Sequence, residues 1–181
     1  MPLNLWHDID RGLPEELSVI IEIPKGSHNK YEIDKKTGLI ALDRANYSSA
    51  AYPFDYGFVP RTLWEDGDPL DIVLLSTFPL APGILVRVRP VAMMEMTDEG
   101  FSDAKIIAVP VDDMRWENIR DLKDLNHHTP KEFQHFFETY KALGGGENPV
   151  QVGEWRDKAT ALEAIDKSIR LYEEKFGKIE N

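Results

Sequence analysis

The chain has 181 residues, and 21 Lys and Arg against 32 Asp and Glu leave a formal net charge of −11. That length suits a single domain spanning 1–181, and 42% hydrophobic with 10% aromatic residues excludes a compositionally disordered tail. The acidic balance argues against nucleic acid or an anionic membrane as partner, and the absence of cysteine excludes a disulfide framework, thiolate metal sites and a Cys nucleophile.

The first residues, Met1 to Asp8, lack the basic start and apolar run of a secretory signal, and no apolar stretch approaches about 18 residues. The expectation is a cytoplasmic protein. Ser18 to Ile23 is β-branched and stops at Pro24, so it reads as a strand. Tyr31 to Asp34 and Leu39 to Arg44 flank a Lys36-Thr37-Gly38 turn, the pattern of a hairpin. Tyr52 to Gly57 reads as an aromatic turn. Ile72 to Leu75 is a short apolar run suited to a buried strand, and Ile84 to Arg89 ends in alternation that puts Val86 and Val88 on one face and Arg87 and Arg89 on the other. Lys105 to Val109 is a further strand, closed by Pro110.

The last third reads as helical. Thr129 is expected to cap a helix with Pro130 at its first position and Glu132 completing a capping box, after which Phe133, Phe136, Phe137 and Tyr140 form one apolar stripe. Gly144-Gly145-Gly146 ends it. A second helix is expected from Lys158 to Phe176, with Leu162, Ile165, Ile169, Tyr172 and Phe176 on one face and Gly177 as its C-cap. Short strands followed by two helices with single apolar faces predict a mainly β, α+β fold: a small barrel or curved sheet with both helices packed against it.

The chemistry concentrates in Glu65-Asp66-Gly67-Asp68-Pro69-Leu70-Asp71. Asp-Gly and Asp-Pro form turns, so an acidic surface turn explains any one of these residues. Against that reading, Asp71 stands at the mouth of an apolar strand, where an unpaired charge is costly. The spacing fails the calcium-loop pattern, because Leu70, Asp71 and Thr77 stand where Asp or Asn, Gly and Glu are needed. Carboxylates without Cys or a paired His select a hard cation, Mg²⁺ or Mn²⁺. A second acidic group, Thr97 to Lys105, contains Asp98, Glu99 and Asp103; it is either a solvated hairpin turn about Gly100 or the other half of a metal cage.

Cations and phenols accompany the acids. Glu22 lies within an apolar run, Lys30 and Glu32 open the next strand, Arg44 ends another, and Tyr52, Tyr56, Lys105, Tyr140 and Lys141 lie further on. Each has an ordinary structural reading alone, in core, solvent or at a helix C-terminus. Together they supply what a multiply charged phosphate needs. No phosphate-binding P-loop, G-x-G-x-x-G or H-E-x-x-H occurs. His127 and His128 read as exposed, and His135 as a packing or subunit-contact residue. A non-catalytic cation-binding barrel and a nucleotide phosphohydrolase stay open at this level.

In register and in order, Ile21-Glu22-Ile23-Pro24, Lys30-Tyr31-Glu32-Ile33-Asp34, Asp43-Arg44, Tyr52-Pro53, Tyr56-Gly57, Asp66-Gly67-Asp68-Pro69-Leu70-Asp71-Ile72, Met96-Thr97-Asp98-Glu99, Asp103-Ala104-Lys105 and the run from His135 to Lys141 resemble the soluble family I inorganic pyrophosphatases. The resemblance implies a five-stranded OB-like barrel with helices, a homohexamer, and Mg²⁺-dependent hydrolysis of pyrophosphate to two phosphates. It implies Asp66, Asp71 and Asp103 as ligands of a first metal, with Asp71 shared by a second, and Asp98, Asp103 and Glu32 as ligands of metals arriving with substrate. Glu22 supports the water network, Asp68 is the general base, and Lys30, Arg44, Tyr56, Lys105, Tyr140 and Lys141 hold the phosphoryl groups, with Tyr52 close by. Two departures stand out: Ala51 where an aromatic is common, and the loop from Gly144 to Pro149.

Overall fold

A computed structural model describes residues 3–145 and 149–178, so the 146–148 part of that loop, with Gly146, lies outside the described residues. In chain order the described elements are β1 (Gly12–Leu13), β2 (Glu16–Ile23), β3 (Asn29–Ile33), β4 (Ile40–Ala45), β5 (Asp55–Phe58), β6 (Asp71–Leu74), β7 (Leu85–Asp98), β8 (Phe101–Ser102), β9 (Lys105–Pro110), α1 (Thr129–Thr139), β10 (Gln151–Arg156) and α2 (Lys158–Phe176).

Five strands close on themselves in the order β2, β5, β6, β9, β7, and the β2–β7 pairing completes the ring. This is the expected five-stranded barrel with two helices against it. β6 and β9 run parallel, with Asp71 opposite Lys105; the other ring pairs are antiparallel. β3 and β4 form a separate two-stranded sheet in which Lys30 pairs with Arg44. β1, β8 and β10 extend the ring strands at their margins.

Both faces of the ring strands are buried. Ile72, Leu74, Ile106 and Ala108 join Val19, Ile21 and Val88 in one core, which Ala161, Ala164 and Ile165 of α2 cover. The alternate residues Val73, Ile107 and Val109 join Phe54, Met94 and the α1 residues Phe133, Phe136 and Phe137 in another. Gly57 is required where β5 crosses β2, since a Cβ there would lie 2.1 Å from the Ile20 carbonyl oxygen.

The structure corrects four expectations. Tyr52 to Gly57 is not a turn throughout, for Asp55–Phe58 is a buried strand. The alternating strand continues past Arg89 to Asp98, losing alternation because its middle is buried on both faces. Thr129 is not the cap of α1: the cap position is His128, without a side-chain cap bond, and the first turn is held by backbone bonds such as Glu132 N to His128 O at 3.0 Å. On α2 the buried face is Ala161, Ala164, Ile165, Ser168 and Tyr172, whereas Phe176 is 44% exposed. The helix begins where Asp157 Oδ1 accepts from Thr160 N at 3.0 Å, a cap not read beforehand.

Candidate active site

A cleft of about 520 Å³ opens between the β3–β4 hairpin, the loop before β6, the ends of β7 and β9 and the end of α1. All thirteen residues expected at the site line it, as does Tyr52. The two acidic segments do converge: β6 and β9 are parallel neighbours, so Asp71 and Lys105 leave adjacent strands at the same level, and Asp103 follows two residues before Lys105. Turn chemistry brings up the rest. Gly67, at φ 90°, turns the loop, and backbone bonds from Trp64 N to Asp68 O at 2.7 Å and Gly67 N to Trp64 O at 3.0 Å brace it. Gly100, at φ 86°, turns β7 into β8 and leaves Asp98 at the rim.

Nine carboxylates face five cations around the cleft, an excess that ordinary proton equilibria register. Burial, with the neighbouring Asp71 charge, pushes the Glu22 carboxyl well above its usual range; its Oε1 accepts from Ile33 N at 2.7 Å and so ties β2 to the hairpin. Burial also raises Asp66, and it pushes Asp103 up to about 7, with Asp71 adding to the effect and Lys105 opposing it. Burial works against charge on Lys105, yet Asp103 and Asp71 outweigh it and hold the ammonium above its ordinary value. Its Nζ lies 2.6 Å from Asp71 Oδ2 and also pairs with Asp103. The Tyr56 phenol, raised by burial and by Asp71, stays neutral and able to donate.

Most of the remaining acids are likewise engaged. Lys30 pairs with Glu32 and, at 3.4 Å, with Asp43; Lys141 pairs with Asp98; Asp43 Oδ2 accepts from Arg44 Nη1 at 2.6 Å. Among the described residues no trio of acids stands as a ready-made ion cage, because lysines already bridge or engage them. The donor set nevertheless fits hard cations: oxygen donors alone, more acids than cations, and three carboxyl groups held above their ordinary range. On the opposite wall Tyr140 stacks on Phe136 with ring centroids 5.1 Å apart, and Tyr52 packs on the same ring at 4.8 Å, so the α1 stripe places the phenols. Arg44 Nη2 is buried without a hydrogen-bond partner among the described residues.

His127, His128 and His135 are exposed and do not line the cleft. For His135 this replaces the packing expectation. Two charged lining residues were given no site role from the sequence: Asp43, which looks like a partner for its neighbour Arg44, and Lys35, which beside Lys36 in a turn looks like solvated charge. Lys35 pairs with Asp68 across the cleft.

The inorganic pyrophosphatase family profile matches residues 19–173. The chain is 44% identical over 176 residues to the inorganic pyrophosphatase of Haloferax volcanii, covering 96% of this chain and 99% of that protein. It is 47% identical over 171 residues to soluble inorganic pyrophosphatase 1 of Arabidopsis thaliana, covering 93% and 80%. The crystal structure of the inorganic pyrophosphatase from Thermus thermophilus superposes with a TM-score of 0.90 at 46% identity, over 94% of this chain and 99% of that one.

Proposed function

The chain belongs to the inorganic pyrophosphatase family, its reaction is the hydrolysis of pyrophosphate to two phosphates, and we propose that it uses Mg²⁺ ions and the cleft residues in the roles that follow. The observation that supports this reading is the meeting of the acids from both acidic segments with Lys30, Arg44, Lys105, Lys141 and the phenols in one cleft.

Asp66, Asp71 and Asp103 hold the first cation, and Asp71 is shared with a second. Glu32, Asp98 and Asp103 hold those that enter with substrate, with Mn²⁺ as an alternative, and Glu22 orders the surrounding water. When bound, such ions neutralise phosphate oxygens and lower the pKa of the attacking water. Asp68 takes the proton that this water loses. Lys30, Arg44, Tyr56, Lys105, Tyr140 and Lys141 donate to phosphoryl oxygens, so the departing phosphate is stabilised where its charge develops. Arg44 has a buried, unpartnered Nη2 to offer, and Lys105 keeps its charge because Asp71 and Asp103 favour it. Water attacks in line from a fixed position, and no covalent intermediate is needed.

The whole chain acts as one domain in this reading, in the cytoplasm and as a homohexamer. Among the described residues no helix is long and apolar enough to cross a membrane. Phosphate release from pyrophosphate with Mg²⁺, set beside ATP as substrate and EDTA as inhibitor, is the test. Pyrophosphate is expected to be strongly preferred and EDTA to abolish release; equal turnover of ATP sinks the specificity, and EDTA-resistant activity sinks the cofactor. Light scattering that finds a monomer removes the hexamer.

A further inference from the structure

Most acids at the cleft have a hydrogen-bond or ion-pair partner close by, and the partner of Asp68 comes from the β3–β4 turn on the far wall. Asp71 and Asp103 share Lys105, Asp98 has Lys141, Glu32 has Lys30, Glu22 accepts from Ile33 N, and Asp66 Oδ1 accepts from Asp68 N at 3.0 Å. The backbone of Asp68 is clamped by the loop bonds, yet among the described residues no hydrogen bond reaches its buried Oδ1. The charged neighbour of that oxygen is the ammonium of Lys35, from the far wall of the cleft.

Lys35 is itself presented by a braced turn. Asp34 Oδ1 accepts from Lys36 N at 3.0 Å, Thr37 N at 2.7 Å and Thr37 Oγ1 at 3.0 Å, and Gly38 N donates to Asp34 O at 2.7 Å. Gly38, at φ 74°, is pressed against the N-terminal segment, where a Cβ would lie 2.8 Å from Asn4 Cα. An anchored lysine therefore meets a clamped aspartate. Both side chains are about half exposed, 51% and 47%, so the pair adds little to stability. Its consequence is orientation: the ammonium engages Oδ1, and Oδ2 is left without a hydrogen-bond partner among the described residues.

We infer that Lys35 is a positioning residue that fixes the Asp68 carboxylate with one oxygen free for the attacking water. The inference rests on Asp68 acting as the base. A small misplacement of a reacting group costs rate without weakening substrate binding.

The test is steady-state hydrolysis of pyrophosphate by Lys35→Ala, Lys35→Arg, Asp68→Asn and the Lys35→Ala, Asp68→Asn double variant. Lys35→Ala is expected to lower kcat about three- to tenfold with KM changed less than about twofold, and Lys35→Arg to restore most of the loss. In the Asp68→Asn background Lys35→Ala should cost nothing further, since the two act as a unit. Unchanged kcat in Lys35→Ala, a loss confined to KM, or full additivity overturns the positioning role while leaving Asp68 in place as base. Undiminished turnover in Asp68→Asn overturns both readings.

Discussion

Asp71 and Lys105 are register partners on the parallel pair β6–β9, and the buried ammonium of Lys105 donates to Asp71 Oδ2 at 2.6 Å. The same ammonium pairs with Asp103, so one cation holds two acids that otherwise repel one another. In the metal-free protein Lys105 is thus a counter-ion built into the chain.

Removing that cation should unmask the repulsion. Lys105→Met is expected to destabilise the metal-free protein by about 3 kcal/mol or more, the usual cost of leaving a buried charge without its partner. Urea unfolding in EDTA measures it, and added Mg²⁺ should recover part of the loss by replacing the missing positive charge. Equal unfolding midpoints for variant and parent would show that Asp71 and Asp103 do not need the lysine.

Cation uptake should depend on pH. Burial pushes the Asp103 carboxyl up to about 7, so below that pH it carries a proton that an incoming cation must displace. Affinity for Mg²⁺ in the absence of substrate should therefore rise with pH through about 7, with proton release visible as buffer-dependent heat in titration calorimetry. The folded carboxyl also binds its proton more tightly than the unfolded one, so its contribution to metal-free stability is present near pH 4 and lost as pH climbs towards about 7. Flat affinity and buffer-independent heat across neutrality contradict this.

The barrel has a position where a single methyl group is too much. In Gly57→Ala the new carbon would stand 2.1 Å from the Ile20 carbonyl oxygen, on a backbone that β2 shares with β5 and β7. A loss of about 3 kcal/mol is expected from overpacking, measured as a lowered urea midpoint. A variant as stable as the parent would mean that the strands can part without cost.

Legibility followed the range of the interactions involved. The 65–71 loop, the hairpin and the extent of α2 could be read because Asp, Gly and Pro set local turns and because apolar spacing sets helical faces. Asp55–Phe58 was hidden by Pro53 and Gly57, which resemble turn residues until one sees that Gly57 is needed for a strand crossing. Gln151–Arg156, a largely exposed marginal strand, offered no alternation to follow. Thr129 carried the composition of a cap, but the backbone bonds of the preceding turn had already moved the helix start. At the cleft, residues in dense acidic motifs announced themselves. Lys35 did not, because its meaning depends on Asp68, 33 positions away along the chain.

The parallel run of β6 beside β9 carries one more consequence. Parallel neighbours cannot be joined by a tight hairpin, and the fourteen residues of β7 lie between them in sequence. A ribosome-bound or clipped chain that stops before Lys105 already owns the acids of the 65–71 loop, but it has no β9 to set beside β6 and no Asp103–Lys105 wall. Loop closure over that distance costs entropy that only the finished ring repays. In the proposed reading, the wall that Asp103 and Lys105 supply to the cleft therefore forms only with the finished ring, and hydrolysis reports that β9 has found its place beside β6.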